Sequence, residues 1–139
     1  MDEHMIRELA VSALKMRELS YVPYSDFAVG AALLTKDGRI FTGCNVENAA
    51  FGPSICAERT AVAKAVSEGA REFAAIAVAG GKRGEPPKDY CPPCGVCRQV
   101  LAEFSGPDMP VIVVKSEEEI RITTLGDLLP QSFTPADLG

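Results

Sequence analysis

Cys56, Glu58, Cys94 and Cys97 together make a reactive set. Cys94 and Cys97 form a C-x-x-C pair, Cys56 can supply a third thiolate, and Glu58 stands two residues beyond Cys56. Three thiolates leave one position of a tetrahedral zinc open, which is what a catalytic zinc requires. A carboxylate beside that position can move protons for a zinc-activated water. The pattern points to a hydrolytic enzyme with a single zinc per chain. Three thiolates also leave an excess of negative charge against Zn²⁺, which weakens the metal as a Lewis acid. Arg59 and Arg98 are the candidates to offset it.

A closed structural site is the alternative on these residues alone. Cys91 could join Cys56, Cys94 and Cys97 as a fourth thiolate and leave no open position. Cys44 reads as a small core residue on a strand. His4 is the sole histidine and lies near a terminus. That disfavours Ser-His-Asp and Cys-His mechanisms.

The elements that must position these groups follow from periodicity. Apolar side chains at Ile6, Leu9, Ala10, Ala13 and Leu14 predict an amphipathic helix over 3–19. Pro23 ends it. Residues 26–35 and 39–44 read as strands joined by a hairpin, because Asp37-Gly38 between apolar runs is a strong turn signal. Residues 45–54 read as a loop. Ser54 is placed as a helix cap, with helix over 56–68 and an apolar face of Ala57, Ala61, Val62, Ala65 and Val66. Residues 72–79 have the continuous apolar run of a buried strand. Residues 80–93 read as a long loop with four prolines and three glycines. Helix follows over 95–104, strands over 111–114 and 120–123, and a short helix over 124–129 before an irregular tail.

This order predicts a three-layer αβα sandwich, with a mixed five-stranded sheet and helices on both faces. A helix, a strand and a second helix in succession bring both helix starts to one edge of the sheet. Cys56 and the Cys94/Cys97 pair can therefore meet across the intervening residues. Helix N-termini also favour thiolates through their exposed N–H groups and dipole.

Composition narrows the class. The 139 residues read as one domain with room for a core. Hydrophobic residues make up 47% and charged residues 24%, as in an ordinary soluble protein. A net charge of −5 argues against a nucleic-acid partner. No apolar run is long enough to span a membrane, and the start of the chain lacks a signal-peptide pattern. A cytoplasmic protein is expected, in which five cysteines read as metal or catalytic residues before disulfides.

Five motifs carry a family resemblance: Tyr24-Ser25-x-Phe27-x-Val29-Gly30-Ala31-Ala32, Gly43-Cys44-Asn45-Val46-Glu47-Asn48, Cys56-Ala57-Glu58-Arg59, Pro93-Cys94-Gly95-x-Cys97-Arg98-Gln99 and Leu128-Leu129-Pro130-x-x-Phe133. In order and spacing they resemble the small cytidine deaminases, over nearly the whole chain. A three-cysteine zinc and a non-ligand glutamate are general features of zinc deaminases and come with that resemblance.

The resemblance implies that residues 1–139 form one zinc-dependent nucleoside deaminase domain acting on cytidine and 2′-deoxycytidine, in pyrimidine salvage. Cys56, Cys94 and Cys97 would hold Zn²⁺, and Glu58 would shuttle the proton. Asn45 and Glu47 would hold the ribose, Phe27 would pack on the pyrimidine, the Ala57 N–H would lie near the base, and Phe51 would line the site. The family is typically a homotetramer with shared sites, and Phe133 matches a tail phenylalanine that reaches a neighbour. An alanine-rich helix (Ala57, Ala61, Ala63, Ala65) offers a surface for close packing against a copy. Cys91 is expected to be a bystander. A blasticidin-type aminonucleoside deaminase lacks the Asn-x-Glu ribose pair and ranks lower, as does a catalytically silent structural-zinc module that binds a partner.

Overall fold

The chain opens with helix α1 (Glu3–Met16), which presents Leu9, Ala10 and Ala13 to the core at helical spacing. Asp2 caps it by accepting from the Met5 N–H at 2.8 Å. A 3-10 turn, Arg17–Leu19, tightens its end. The computed structural model describes all residues, 1–139.

Strand β1 (Phe27–Thr35) turns back into β2 (Ile40–Cys44) through the Asp37-Gly38 hairpin, where Gly38 takes φ +91°. Helix α2 (Ala57–Ser67), β3 (Phe73–Lys82), α3 (Gly95–Phe104), β4 (Pro110–Val114), β5 (Ile120–Thr124) and a short α4 (Leu125–Leu128) follow. The strands form one five-stranded sheet in the order β2-β1-β3-β4-β5. Only β3 and β4 are parallel.

Strand alternation sends successive side chains to opposite faces, and each face has its own core. On one face Ala32, Leu34, Ala75, Ala77, Ala79, Ile112 and Val114 pack beneath α1. On the other, Leu33, Ile76, Val78, Val111 and Val113 pack beneath α2 and α3, with Phe73 at the end of the layer. The result is the expected three-layer sandwich on a mixed sheet. The α1 side is lined largely by alanine, so α1 lies close to the strands. Gly30 marks the closest point: a Cβ there would fall 2.0 Å from the Ala13 carbonyl oxygen.

Several boundaries differ from the sequence reading. Strand β3 runs three residues beyond Ala79, to Lys82, because Gly80, Gly81 and Lys82 continue the ladder opposite Val29, Ala28 and Phe27. Their glycines look like loop in the sequence, yet strand pairing holds them extended. Cys56, not Ser54, is the N-cap of α2, and its side chain makes no capping hydrogen bond. Three of the four alanines offered for contact with a copy, Ala57, Ala61 and Ala65, are fully buried against this chain's own sheet. The alanine stripe therefore gives no support for helix pairing between chains.

Gly43 seats α2. A Cβ there would lie 2.4 Å from the Ala57 carbonyl oxygen and 2.6 Å from the Ala61 nitrogen. Gly43→Ala should push the start of α2 off the sheet. Stability should fall by about 1–3 kcal/mol, as overpacking does, and zinc affinity should fall with it. Denaturant midpoints and metal content check both, and an unchanged midpoint would show that α2 is not seated this tightly.

Candidate functional site

The starts of α2 and α3 meet at one edge of the sheet. Cys56 is the N-cap of α2, Cys94 is the N-cap of α3, and Cys97 lies one turn into α3. The Cys56 and Cys94 sulfurs are 3.8 Å apart, and those of Cys94 and Cys97 are 3.5 Å apart. All three Sγ atoms fall within 4.8 Å of one another. A tetrahedral zinc with Zn–S arms of ~2.3 Å needs sulfurs ~3.8 Å apart, so the spacing of the cluster suits the ion. No disulfide joins them, and all five cysteines are free. Cys91 stands outside the cluster, so the four-thiolate arrangement is not assembled here.

The electrostatics of the three thiols are those of groups competing for one charge. Hydrogen bonding from Cys97, aided by Arg59, holds the Cys56 thiol down to about 5. The same hydrogen bond with Cys56, together with burial, pushes the Cys97 thiol far above its ordinary range. Arg59 donates from Nη2 to the Cys56 sulfur at 3.4 Å. Arg98 turns away from the sulfurs. It donates from Nε to the Pro93 carbonyl at 2.7 Å and from Nη1 to the Leu128 carbonyl at 2.8 Å. Its task in this structure is to fix the approach to Cys94 against α4. A divalent cation is the group that would let all three sulfurs ionise together.

Glu58, in the first turn of α2, is 4% exposed. Burial raises its carboxyl to about 7, and the negative charge of Cys56 adds to the rise. A buried acid poised near neutrality, beside a metal site, is a group that can both take and give a proton. Ala57 precedes it as the first residue of α2, where a backbone N–H has no intrahelical partner.

Asn45 and Glu47 brace the loop that leads into β1. Asn45 accepts from the Val29 N–H through Oδ1 at 2.9 Å and donates through Nδ2 to the Phe27 carbonyl at 2.9 Å. Glu47 accepts from the Tyr24 and Ser25 N–H groups at 3.0 and 3.1 Å, and from the Ser25 hydroxyl. These contacts, the Ser25 hydroxyl foremost, hold its carboxyl below the usual carboxylate range. Ser25 also accepts from the Phe27 N–H at 3.0 Å. No spacing rule marks Ser25 for this task, although a serine hydroxyl accepting from the N–H two residues on is a familiar local turn.

Phe27, Phe51 and Phe133 are not core. They are 42%, 86% and 60% exposed. Phe51 lines a cleft of about 400 Å³ with Tyr24, Ser25, Glu47, Asn48, Ala49 and Ser54. Phe133 is held by its backbone, since Gln99 of α3 donates to its carbonyl at 2.9 Å. Its ring is left in solvent.

Residues 4–114 match the family described as cytidine and deoxycytidylate deaminase zinc-binding region. The chain is 48% identical to the cytidine deaminase of Sporosarcina psychrophila, over 96% of this chain and 94% of that protein. It is 47% identical to the cytidine deaminase of Halalkalibacterium halodurans, over 99% and 98%. The crystal structure of cytidine deaminase from Burkholderia pseudomallei superposes with a TM-score of 0.80 at 47% identity, over 96% of this chain and all of that one.

Metal analysis of purified protein should find one zinc per chain, lost on Cys94→Ala and kept on Cys91→Ala. Loss of the metal on Cys91→Ala would mean a closed, four-thiolate site.

Proposed function

The chain belongs to the cytidine and deoxycytidylate deaminase family, and on that premise we propose that it hydrolyses cytidine and 2′-deoxycytidine to uridine and 2′-deoxyuridine, releasing ammonia. The observation that carries this reading is the buried Glu58, set on the same helix start as one sulfur of a three-sulfur cluster.

Zinc held by Cys56, Cys94 and Cys97 would supply a Lewis acid that lowers the pKa of water to about 7. Glu58 takes a proton from the water that attacks C4 of the base. It delivers that proton to N3, and a further transfer lets the amine leave as ammonia. Burial suits Glu58 to this, because it stays close to neutrality in both directions. Arg59 drains charge from the Cys56 sulfur, and two helix N-termini add to the effect.

Asn45 and Glu47 meet the ribose hydroxyls. Each retains hydrogen-bonding capacity after these contacts: Asn45 keeps one amide hydrogen and one lone pair, and Glu47 keeps one acceptor site, on Oε2. Phe27 stacks on the pyrimidine, the Ala57 N–H approaches the base, and Phe51 lines the site. Phe133 completes the site of a neighbouring chain in a homotetramer. Its exposed ring on a fixed backbone supports that role, as does the exposure of Phe51. Five free thiols suit a reducing, cytoplasmic setting. No helix is long and apolar enough to cross a membrane. A blasticidin-type deaminase and a silent zinc module have less support, because the braced Asn45–Glu47 pair and the buried Glu58 would then be idle.

Ultraviolet absorbance of cytidine with the fully metallated protein tests the reading, and no change would end it. Glu58→Gln keeps shape and hydrogen bonding but cannot shuttle a proton. Its kcat should fall by at least the ~10²–10⁴-fold of a general acid–base group, with zinc retained. If metal content falls in step with activity, Glu58 is a ligand instead.

Truncation after Pro130 removes Phe133 and should raise KM or abolish turnover while the metal stays. Unchanged kinetics would show that the tail takes no part.

A further inference from the structure

The segment between β3 and α3 is fastened in a way that the deamination chemistry does not use. Arg17, in the turn after α1, donates from Nε to the Ala28 carbonyl at 2.9 Å. Its Nη2 donates to the carbonyls of Lys82 at 3.1 Å and Glu85 at 3.0 Å. Arg83 donates its N–H to the Asp26 carbonyl at 2.8 Å. Its guanidinium lies 2.9 Å from the Asp26 carboxylate, as an ion pair rather than an aligned hydrogen bond. Farther along, Arg121 of β5 stacks over the Tyr90 ring, 4.0 Å from its centroid.

The first of these contacts converge on one residue. Asp26 precedes Phe27, Ala28 follows it, and Lys82 is its register partner on β3. Asp26 takes φ +62°, in the left-handed region that a non-glycine residue enters at a cost. The direction in which the chain enters β1, and so where Phe27 points, depends on keeping Asp26 there. The ring and the far end of the same segment lie over one point of β3. Over Gly80, a Cβ would fall 2.7 Å from the Cys91 sulfur and 3.0 Å from Cε2 of Phe27. The segment thus touches Phe27's neighbours at its start and stands beside its ring at its end. Beside the ring lies a cleft of about 440 Å³, lined also by Lys82, Tyr90 and Cys91. An unrestrained Phe27 has room to swing into it.

We propose that residues 83–91 form a strap that aims the Phe27 ring at the pyrimidine, with Arg83 and Arg17 as its positioning residues. This rests on the deaminase reading, in which Phe27 meets the base. Neither arginine touches the substrate; both act through the backbone that carries Phe27.

The chain has no tryptophan, so Phe27→Trp places a single tryptophan, excited selectively over the three tyrosines, at the proposed point of action. Adding Arg83→Ala to that background should raise acrylamide quenching about twofold and shift the emission to the red, as a more solvated ring would. Arg17→Lys, which cannot span three carbonyls, should act in the same direction. With Phe27 in place, Arg83→Ala should raise KM for cytidine about three- to tenfold while kcat stays within about twofold, the pattern of lost uniform binding. Arg83→Lys should recover part of the loss by restoring the charge opposite Asp26. Unchanged quenching in both arginine variants overturns the strap, whether or not the protein deaminates cytidine. Altered quenching with unchanged KM overturns its role in aiming the ring. Altered quenching in a protein inert toward cytidine upholds the strap and ends the deaminase reading instead. Should Phe27→Trp fail to hold zinc, the split between KM and kcat decides alone.

Discussion

Two helix N-termini must come within sulfur contact of each other, and most of the architecture can be traced to that requirement. Cys56 and Cys94 occupy equivalent cap positions on α2 and α3, with their sulfurs 3.8 Å apart. Neither side chain caps its own helix, so both sulfurs are free to turn toward a shared ion. The helices reach this arrangement because both pack on the same face of the sheet, over Leu33, Ile76, Val78 and Val111. Gly43 lets α2 lie against β2, and Arg98 ties the turn before α3 to α4.

The site carries costs that the core must offset. A carboxyl is buried at Glu58 and three thiols are crowded together, which is unfavourable without a partner charge. The dipoles of two helices and the Arg59 guanidinium reduce that cost on the protein's side. The rest falls to the metal, which is why ion binding and local stability should be coupled here.

The two halves of the site are built differently. The metal half stands on helix starts packed over a buried core. The half proposed to meet the substrate is tied largely by polar contacts from loops: Asn45 to β1, Glu47 to Ser25, Arg83 to Asp26. Phe51 and Phe133 there are largely exposed. Side chains held by loop hydrogen bonds can adjust to a bound nucleoside at lower cost than those locked in a core. On the proposed function, precision at the metal and adaptability at the base would fall to different parts of the fold.

Features that depend on local physics can be read from the order of residues alone. The 3.6-residue spacing of α1, the Asp37-Gly38 hairpin, the apolar runs of β3 and β4 and the C-x-x-C at the start of α3 each lie within a short stretch, where backbone geometry alone decides the outcome. Glu58 was legible because it stands two residues from Cys56, on the same helix turn. Other features were decided only when distant segments met. Gly80 and Gly81 became strand because β1 pairs with them; Cys91 stayed out of the sulfur cluster; Arg98 faced carbonyls rather than sulfur. Arg17 and Ser25 found their tasks through partners that no motif announces, some of them 65 and 68 residues away. A hydrogen bond or a sulfur contact depends on where two backbones stand relative to each other. Sheet order and helix packing fix that relation, and residue spacing along one strand or helix does not carry it.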